Sequence, residues 1–208
     1  YEISLGLVGS EMCIRDRKIT ADNYYDAHEL FDLRVMSTFG LTDGDLSALE
    51  QVDGVSEAQG SKYSDLMFIY DGRDYNTRVF SWNETAKLNR IDILEGRFPQ
   101  ADNECILNVR KMNGQIGIGE KLVLTDPSDN EDFPLKNKEY TIVGLFDTPM
   151  YISSTQRGST TIGDGSLDAF VYIPESNFTQ EVYTEIYIQS EQLKGVPSLS
   201  LIHISEPT

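Results

Sequence analysis

Few side chains in this sequence have the types and spacings that chemistry needs. His28 sits among Asp26, Glu29 and Asp32, and an imidazole beside a carboxylate is the base half of a nucleophilic site. The hydroxyl or thiol that would complete it, Ser37 or Cys105, has no triad signature around it, so no catalytic residue is assigned. Cys105 lies between Glu104 and Ile106 in an apolar run, which reads as a small buried core thiol, because a nucleophilic cysteine needs a base close by and the chain has only two histidines. Carboxylate pairs suited to acid–base hydrolysis are a spatial property, and none of the 34 acids is singled out by its neighbours.

Two further runs invite a ligand reading. Gly114, Gly117 and Gly119 precede Glu120-Lys121, but a phosphate loop needs Gly-x-x-x-x-Gly-Lys-Ser/Thr opening a helix, whereas Leu122-Val123-Leu124-Thr125 reads as a strand. The glycines are therefore expected to form a turn between strands, and no cofactor site is assigned. Asp126-Pro127-Ser128-Asp129-Asn130-Glu131-Asp132 collects oxygen ligands without the alternating order around a central Gly that an EF-hand uses. It reads as a solvated acidic loop, with no metal site. The segment from Pro149 to Gly165 is long, polar and Gly-rich between two expected strands, and long ordered loops are often functional. Its Tyr151, Arg157, Ser159, Thr160 and Asp164 are the candidate partner-contact residues.

The elements that must position these residues are those of a folded globule. Hydrophobic residues make up 39% of the chain and aromatics 10%, more than a disordered chain carries. The formal net charge of -17 repels phosphate backbones, which excludes nucleic acid as a partner. Cys13 and Cys105 are the only cysteines, too few for a disulfide-built secreted fold. No run approaches the roughly 18–20 apolar residues of a membrane span. Residues 1-17 and 197-208 resemble translated read-through of a sequencing adaptor and are set aside. On this reading the borders of the remaining chain, 18-196, are cuts that have removed neighbouring segments.

Within 18-196, Leu33 to Phe39 alternates as a strand, and Thr42 with Asp45 approaches a capping box. A helix follows with Leu46, Leu49 and Val52 on one face, stopped by Gly54; Val55 to Gln59 begins the next strand. Leu66–Tyr70 and Tyr75–Trp82 flank Asp71-Gly72, the turn chemistry of a tight hairpin. Further strands are expected at Asn89–Leu94, Glu104–Val109, Lys121–Thr125, Tyr140–Phe146, Phe170–Ile173 and Thr184–Gln189. The fold class read from this order is α+β. A mixed α/β subdomain of strand-helix-strand plus hairpin, about 19-92 with the C-terminal strands, packs beside a small β-rich barrel or sandwich, about 93-147.

Several segments in order carry a resemblance: Gly96-Arg97-Phe98 after Ile93-Leu94-Glu95, the apolar Cys105-Ile106-Leu107, the Gly-x-Gly turn into Lys121-Leu122-Val123-Leu124, and Tyr140-Thr141-Ile142-Val143-Gly144. With Tyr24-Tyr25, Leu33-Arg34-Val35, Gly40-Leu41-Thr42-Asp43 and Arg157-Gly158-Ser159-Thr160 they cover most of Asn23 to Ile188. This order resembles the extracytoplasmic core domain of MacB/FtsX-like ABC transporter permeases, in the form found in Gram-positive bacteria; the long helical hairpin of the Gram-negative type is lacking. The resemblance implies a non-catalytic domain outside the cytoplasmic membrane, between the first and second transmembrane helices of its permease. Its implied partners are those helices, a separate cytoplasmic ATPase subunit and a second permease copy. A free extracellular module binding peptide or carbohydrate is the alternative, and a secreted hydrolase a third.

Overall fold

The computed structural model describes residues 20–108, 116–127, 132–151 and 158–193. The described residues open with helix α1 (residues 20–27) and then strand β1 (Leu33–Leu41). Helix α2 (Asp43–Glu50) follows, started by the expected capping box: Thr42 Oγ1 accepts from the Asp45 amide at 3.3 Å, and the Asp45 carboxylate accepts from the Thr42 amide at 2.8 Å. The helix ends earlier than the apolar spacing predicts. Gln51 caps it, and Gly54, at φ +90°, belongs to the turn that follows. Val52 therefore falls off the helical phase and is 52% exposed, while Leu46 and Leu49 pack on the small core below.

Strand β2 (Val55–Ser61) completes a three-stranded antiparallel sheet in the order β1-β10-β2, where β10 is Tyr183–Ser190. One residue, Lys62, separates β2 from β3 (Tyr63–Tyr70), so the chain passes directly from this sheet into a second one. Asp71 and Gly72 both adopt positive φ, 48° and 70°, as a two-residue hairpin turn requires, and β4 (Arg73–Trp82) pairs back on β3 from Arg73 to Phe80.

The remaining strands are β5 (Asp92–Gly96), β6 (Glu104–Asn108), β7 (Lys121–Thr125), β8 (Glu139–Asp147) and β9 (Ala169–Pro174). The second sheet runs β5-β8-β6-β9-β4-β3-β7, and β7 also pairs with β8. Six strands thus close a ring, β8-β6-β9-β4-β3-β7, and β5 lies outside it. Along one edge of β8, β7 pairs with Glu139–Thr141 and β5 with Gly144–Asp147, while β6 takes the other edge in parallel.

This arrangement bears out a mixed helix-and-strand body and corrects the expected grouping. The hairpin β3–β4 belongs to the ring, not to the strand-helix-strand unit, and so does β9. The cause is the alternation of these strands: Leu66 and Phe68 of β3, Val79 of β4, and Ala169, Val171 and Ile173 of β9 all point into the ring. There they meet Leu107 of β6, Leu122 and Leu124 of β7, and Tyr140 and Ile142 of β8. Each such Leu, Ile, Val or Phe side chain contributes about 1.5–3 kcal/mol by leaving water. The β5 expectation is also corrected. Asn89 sits at φ +56°, outside the extended region, so the strand begins only at Asp92.

Candidate functional site

Two features face away from the ring interior. The first is the loop after β8. Pro149–Tyr151 forms a single 3-10 turn, and the return limb begins at residue 158. Period-two alternation along β4 turns Thr77 and Val79 inward and leaves Asn76, Arg78 and Phe80 on the outer face, and the loop is fastened to these three in turn. Tyr151, half-buried, stacks on Phe170 at 4.1 Å and lies 6.4 Å from the Phe80 ring. The Ser159 carbonyl accepts from Arg78 Nη2 at 3.2 Å. The Asp164 carboxylate accepts from Asn76 Nδ2 at 3.0 Å and from the Ser166 amide and hydroxyl at 3.0 and 2.8 Å. Thr160 closes the limb on itself, donating its amide to Gly165 O at 3.1 Å. Arg157 lies outside the described residues.

Arg78 holds this assembly in register. Its Nε and Nη2 make two short bonds to Asp65, 2.6 and 2.8 Å, and its guanidinium lies 4.4 Å from the Tyr63 ring centroid. Burial and the Arg78 charge act on the Tyr151 hydroxyl in opposite senses, and burial wins, so its pKa is raised. Of the sequence candidates, Tyr151 and Asp164 therefore work largely within the molecule. Ser159 and Thr160 line an open groove of about 630 Å³ with Tyr63, Asp65 and Arg78.

The second feature, which sequence reasoning missed, is a cleft of about 640 Å³ between the small sheet and the ring. One wall is the free edge of β2, Glu57 to Ser61; the other is the end of β4 and the segment 83–91. Trp82 stacks face to face on Phe98, 4.4 Å apart and 5° from parallel, with Tyr172 edge-on to it at 6.4 Å. Gln59 Oε1 accepts from the Lys87 and Leu88 amides at 2.8 and 2.9 Å, fixing the far wall. Asn89 is 7% exposed, takes the Phe31 amide on its side-chain oxygen at 3.1 Å, and leaves its Nδ2 without an acceptor. A signal was available: Trp82 is the only tryptophan in the chain.

Deeper between the layers, Glu185 of β10 is 1% exposed. The Tyr187 hydroxyl donates to its Oε1, while Oε2 accepts no hydrogen bond and lies 3.6 Å from Arg34 Nη1. Burial pushes this carboxyl above the ordinary range, and Tyr187, Arg34 and Arg78 pull it back only in part.

The residues considered for catalysis do not converge. His28 Nδ1 lies 2.7 Å from Tyr24 O and Nε2 lies 2.7 Å from Asp92 Oδ2, so its ring is engaged by neither Ser37 nor Cys105. Cys105 is inside the ring, 0% exposed, and burial pushes its thiol up. Gly119 adopts φ +91° two residues before β7, the expected turn. Residues 128–131 of the acidic run lie outside the described residues, and among the described residues no three His, Cys, Asp or Glu side chains are grouped to hold a metal ion.

The Gly96-Arg97-Phe98 turn is held at each of its three residues. Gly96, at φ +81°, lies so close to β8 that a Cβ would fall 2.2 Å from Val143 O. Arg97 then binds Glu104 at 2.6 and 2.7 Å, and Phe98 covers Trp82. Residues 15–196 match the family described as the MacB-like periplasmic core domain. The chain belongs to that family. MacB-like core domains are extracytoplasmic parts of ABC transporter permeases, which places this domain on the extracytoplasmic face of a membrane. Among solved structures it is similar to the extracellular domain of the noncanonic ABC-type transporter YknZ from Gram-positive bacteria, at 16% identity and TM-score 0.44, over 81% of this chain and 85% of that one. It is similar also to the periplasmic region of MacB from Actinobacillus actinomycetemcomitans, at 11% identity and TM-score 0.43, over 82% and 72%. No curated protein matches the chain. In this MacB-like domain no described helix is long and apolar enough to cross a membrane.

Proposed function

We propose that this domain is a non-catalytic transmitter, which carries ATP-driven movement of its permease's membrane helices to an external substrate or partner. The observation that carries the reading is where the small sheet receives and releases the chain. β1 and β10 are antiparallel neighbours, with the Asp32 amide donating to Ile188 O at 2.9 Å and the Ser190 amide to the Asp32 carboxylate at 2.8 Å. A domain inserted between two membrane helices needs its entry and exit side by side. The ring hangs from the opposite end, through Lys62 and through the stretch from Phe178 to Tyr183, so displacement of the β1–β10 end moves the ring as a body.

On this reading the partners are the two flanking transmembrane helices, a cytoplasmic ATPase subunit and a second permease copy, and the loop residues Ser159 and Thr160 face whatever the ring engages. The test is the parent reading frame. Apolar spans should flank the domain on both sides, with an ATPase gene close by; a complete secreted frame without spans overturns the reading. In the assembled transporter, replacing residues 33–190 by a short linker should leave ATP hydrolysis running and abolish the external output.

A further inference from the structure

We propose that the cleft beside β2 binds an extended peptide, which joins the small sheet as a strand next to β2 and lays an aromatic or large aliphatic side chain against Trp82 and Phe98. The inference does not depend on coupling to membrane helices. It starts from the sheet order: β2 is terminal, and the outward backbone groups of Glu57 to Gly60 meet no backbone partner among the described residues. At one end β2 and β4 are joined, the Ser81 amide donating to Lys62 O at 2.8 Å; beyond that point the two chains separate and the cleft opens between them. Its β2 wall is therefore an unpaired strand edge, a template for strand addition.

The walls supply what such an edge alone lacks. At about 3.4 Å per residue the exposed edge accommodates roughly four or five residues, and a volume near 640 Å³ falls in the range of sites that enclose a ligand. The Trp82–Phe98 stack gives one side chain of the incoming strand a flat apolar surface. Asn89 also lines the cleft, and its buried Nδ2 has no acceptor. Charge selects the ligand further. The charged side chains lining the cleft are Glu57, Lys87, Arg90 and Glu175, two of each sign with Lys87 paired to Glu57 at 2.9 Å, so the cleft is close to neutral locally, while the whole chain carries -17. That field disfavours acidic peptides at every distance within the screening length and favours neutral or basic ones.

The experiment uses an immobilised array of random eight-residue peptides without tryptophan, probed with the domain, the best binders then being titrated in solution. Trp82, as the only tryptophan, reports occupancy of the cleft by its emission. Expected are binders poor in Asp and Glu that contain an aromatic or large aliphatic residue and shift Trp82 emission. N-methylation of alternate backbone amides should weaken binding at least tenfold in one phase and leave it unchanged in the other, because only one set of amides faces β2. Phe98→Ala should weaken the same peptides at least tenfold. Any of four results overturns the proposal: no enriched peptide; enriched peptides that leave Trp82 emission unmoved; equal binding by both N-methylated sets, which means side-chain docking without strand addition; or quenching of Trp82 by chitotriose with no peptide response, which makes the cleft a glycan site. The N-methylated peptides leave the protein unaltered, so this arm stands even if Phe98→Ala fails to fold.

Discussion

Gly96 has no room for a methyl group and no ordinary backbone in which to hold one. Its φ of +81° lies in the left-handed region, and the atom that a Cβ would meet is the Val143 carbonyl oxygen, 2.2 Å away, with Gly144 Cα at 2.9 Å. Both are backbone atoms that cannot swing aside. Gly96→Ala should therefore cost about 3 kcal/mol or more, the sum of strain and displaced backbone, read as a lowered urea midpoint with an unchanged slope. The neighbouring ion pair gives a pH signature. Bonds from Arg97, and from the Gln100 and Ala101 amides, bring the Glu104 carboxyl down to about 2 from 4.5. A carboxylate held more acidic in the folded state adds stability that is complete above about pH 4.5 and is lost as the pH falls toward 2. Arg97 is 45% exposed, so solvent screening keeps the contribution modest. Glu104→Gln should lower the melting temperature at pH 7 by several degrees, and the gap to the parent should close between pH 4.5 and 2.

At the scale of elements, β4 organises both faces that surround it. Its outer residues bind the loop after β8, and removing the two bonds that Asn76 Nδ2 donates there, to the Asp164 carboxylate and to Ser166 O at 3.0 Å each, should loosen the loop without harming the ring. In Asn76→Ala the amides of residues 158–168 should exchange with solvent at least tenfold faster, while those of Ile142 and Val171 stay protected. The meeting of the two layers should respond in the opposite sense. Glu185 holds its proton more tightly when folded than when unfolded, so its contribution favours folding at low pH and falls as the pH rises. Denaturant titrations of Glu185→Gln should accordingly compare more favourably with the parent at pH 8 than at pH 5. The local elements were legible: the Thr42–Asp45 box, the Asp71-Gly72 turn and most strands announce themselves through neighbours a few residues apart. Ring closure was not, because β4 chooses β9 across 92 residues and nothing within either strand names the other. The cleft was hidden for the same reason, its walls coming from β2 and from a connecting segment without regular structure. Val52 and Asn89 misled because apolar spacing ran on past a cap in one case, and past a left-handed residue in the other.

The molecule as a whole is built on pairings distant in sequence. β4 and β9 are parallel, and the hydrogen bond between Ser190 and Asp32 spans 158 positions. Loops of that length must close before their contacts repay the lost entropy, so refolding should take milliseconds to seconds or longer. Stopped-flow recording of Trp82 emission would show this, and a microsecond phase carrying the full amplitude would contradict it. Among the described strands, closure of the ring leaves β5, β1 and β2 with free edges, and two of these are the outer strands of the sheet that receives and releases the chain. That sheet has a practical consequence. Because Asp32 and Ser190 are a hydrogen bond apart, the module demands almost nothing of whatever carries it: two neighbouring strands of a host hairpin, about 4.8 Å apart, already present ends at the right spacing. Spliced into such a turn, the unit should fold without forcing its host open, which makes it a graftable cartridge whose occupancy could be read through the distortion of the protein that holds it.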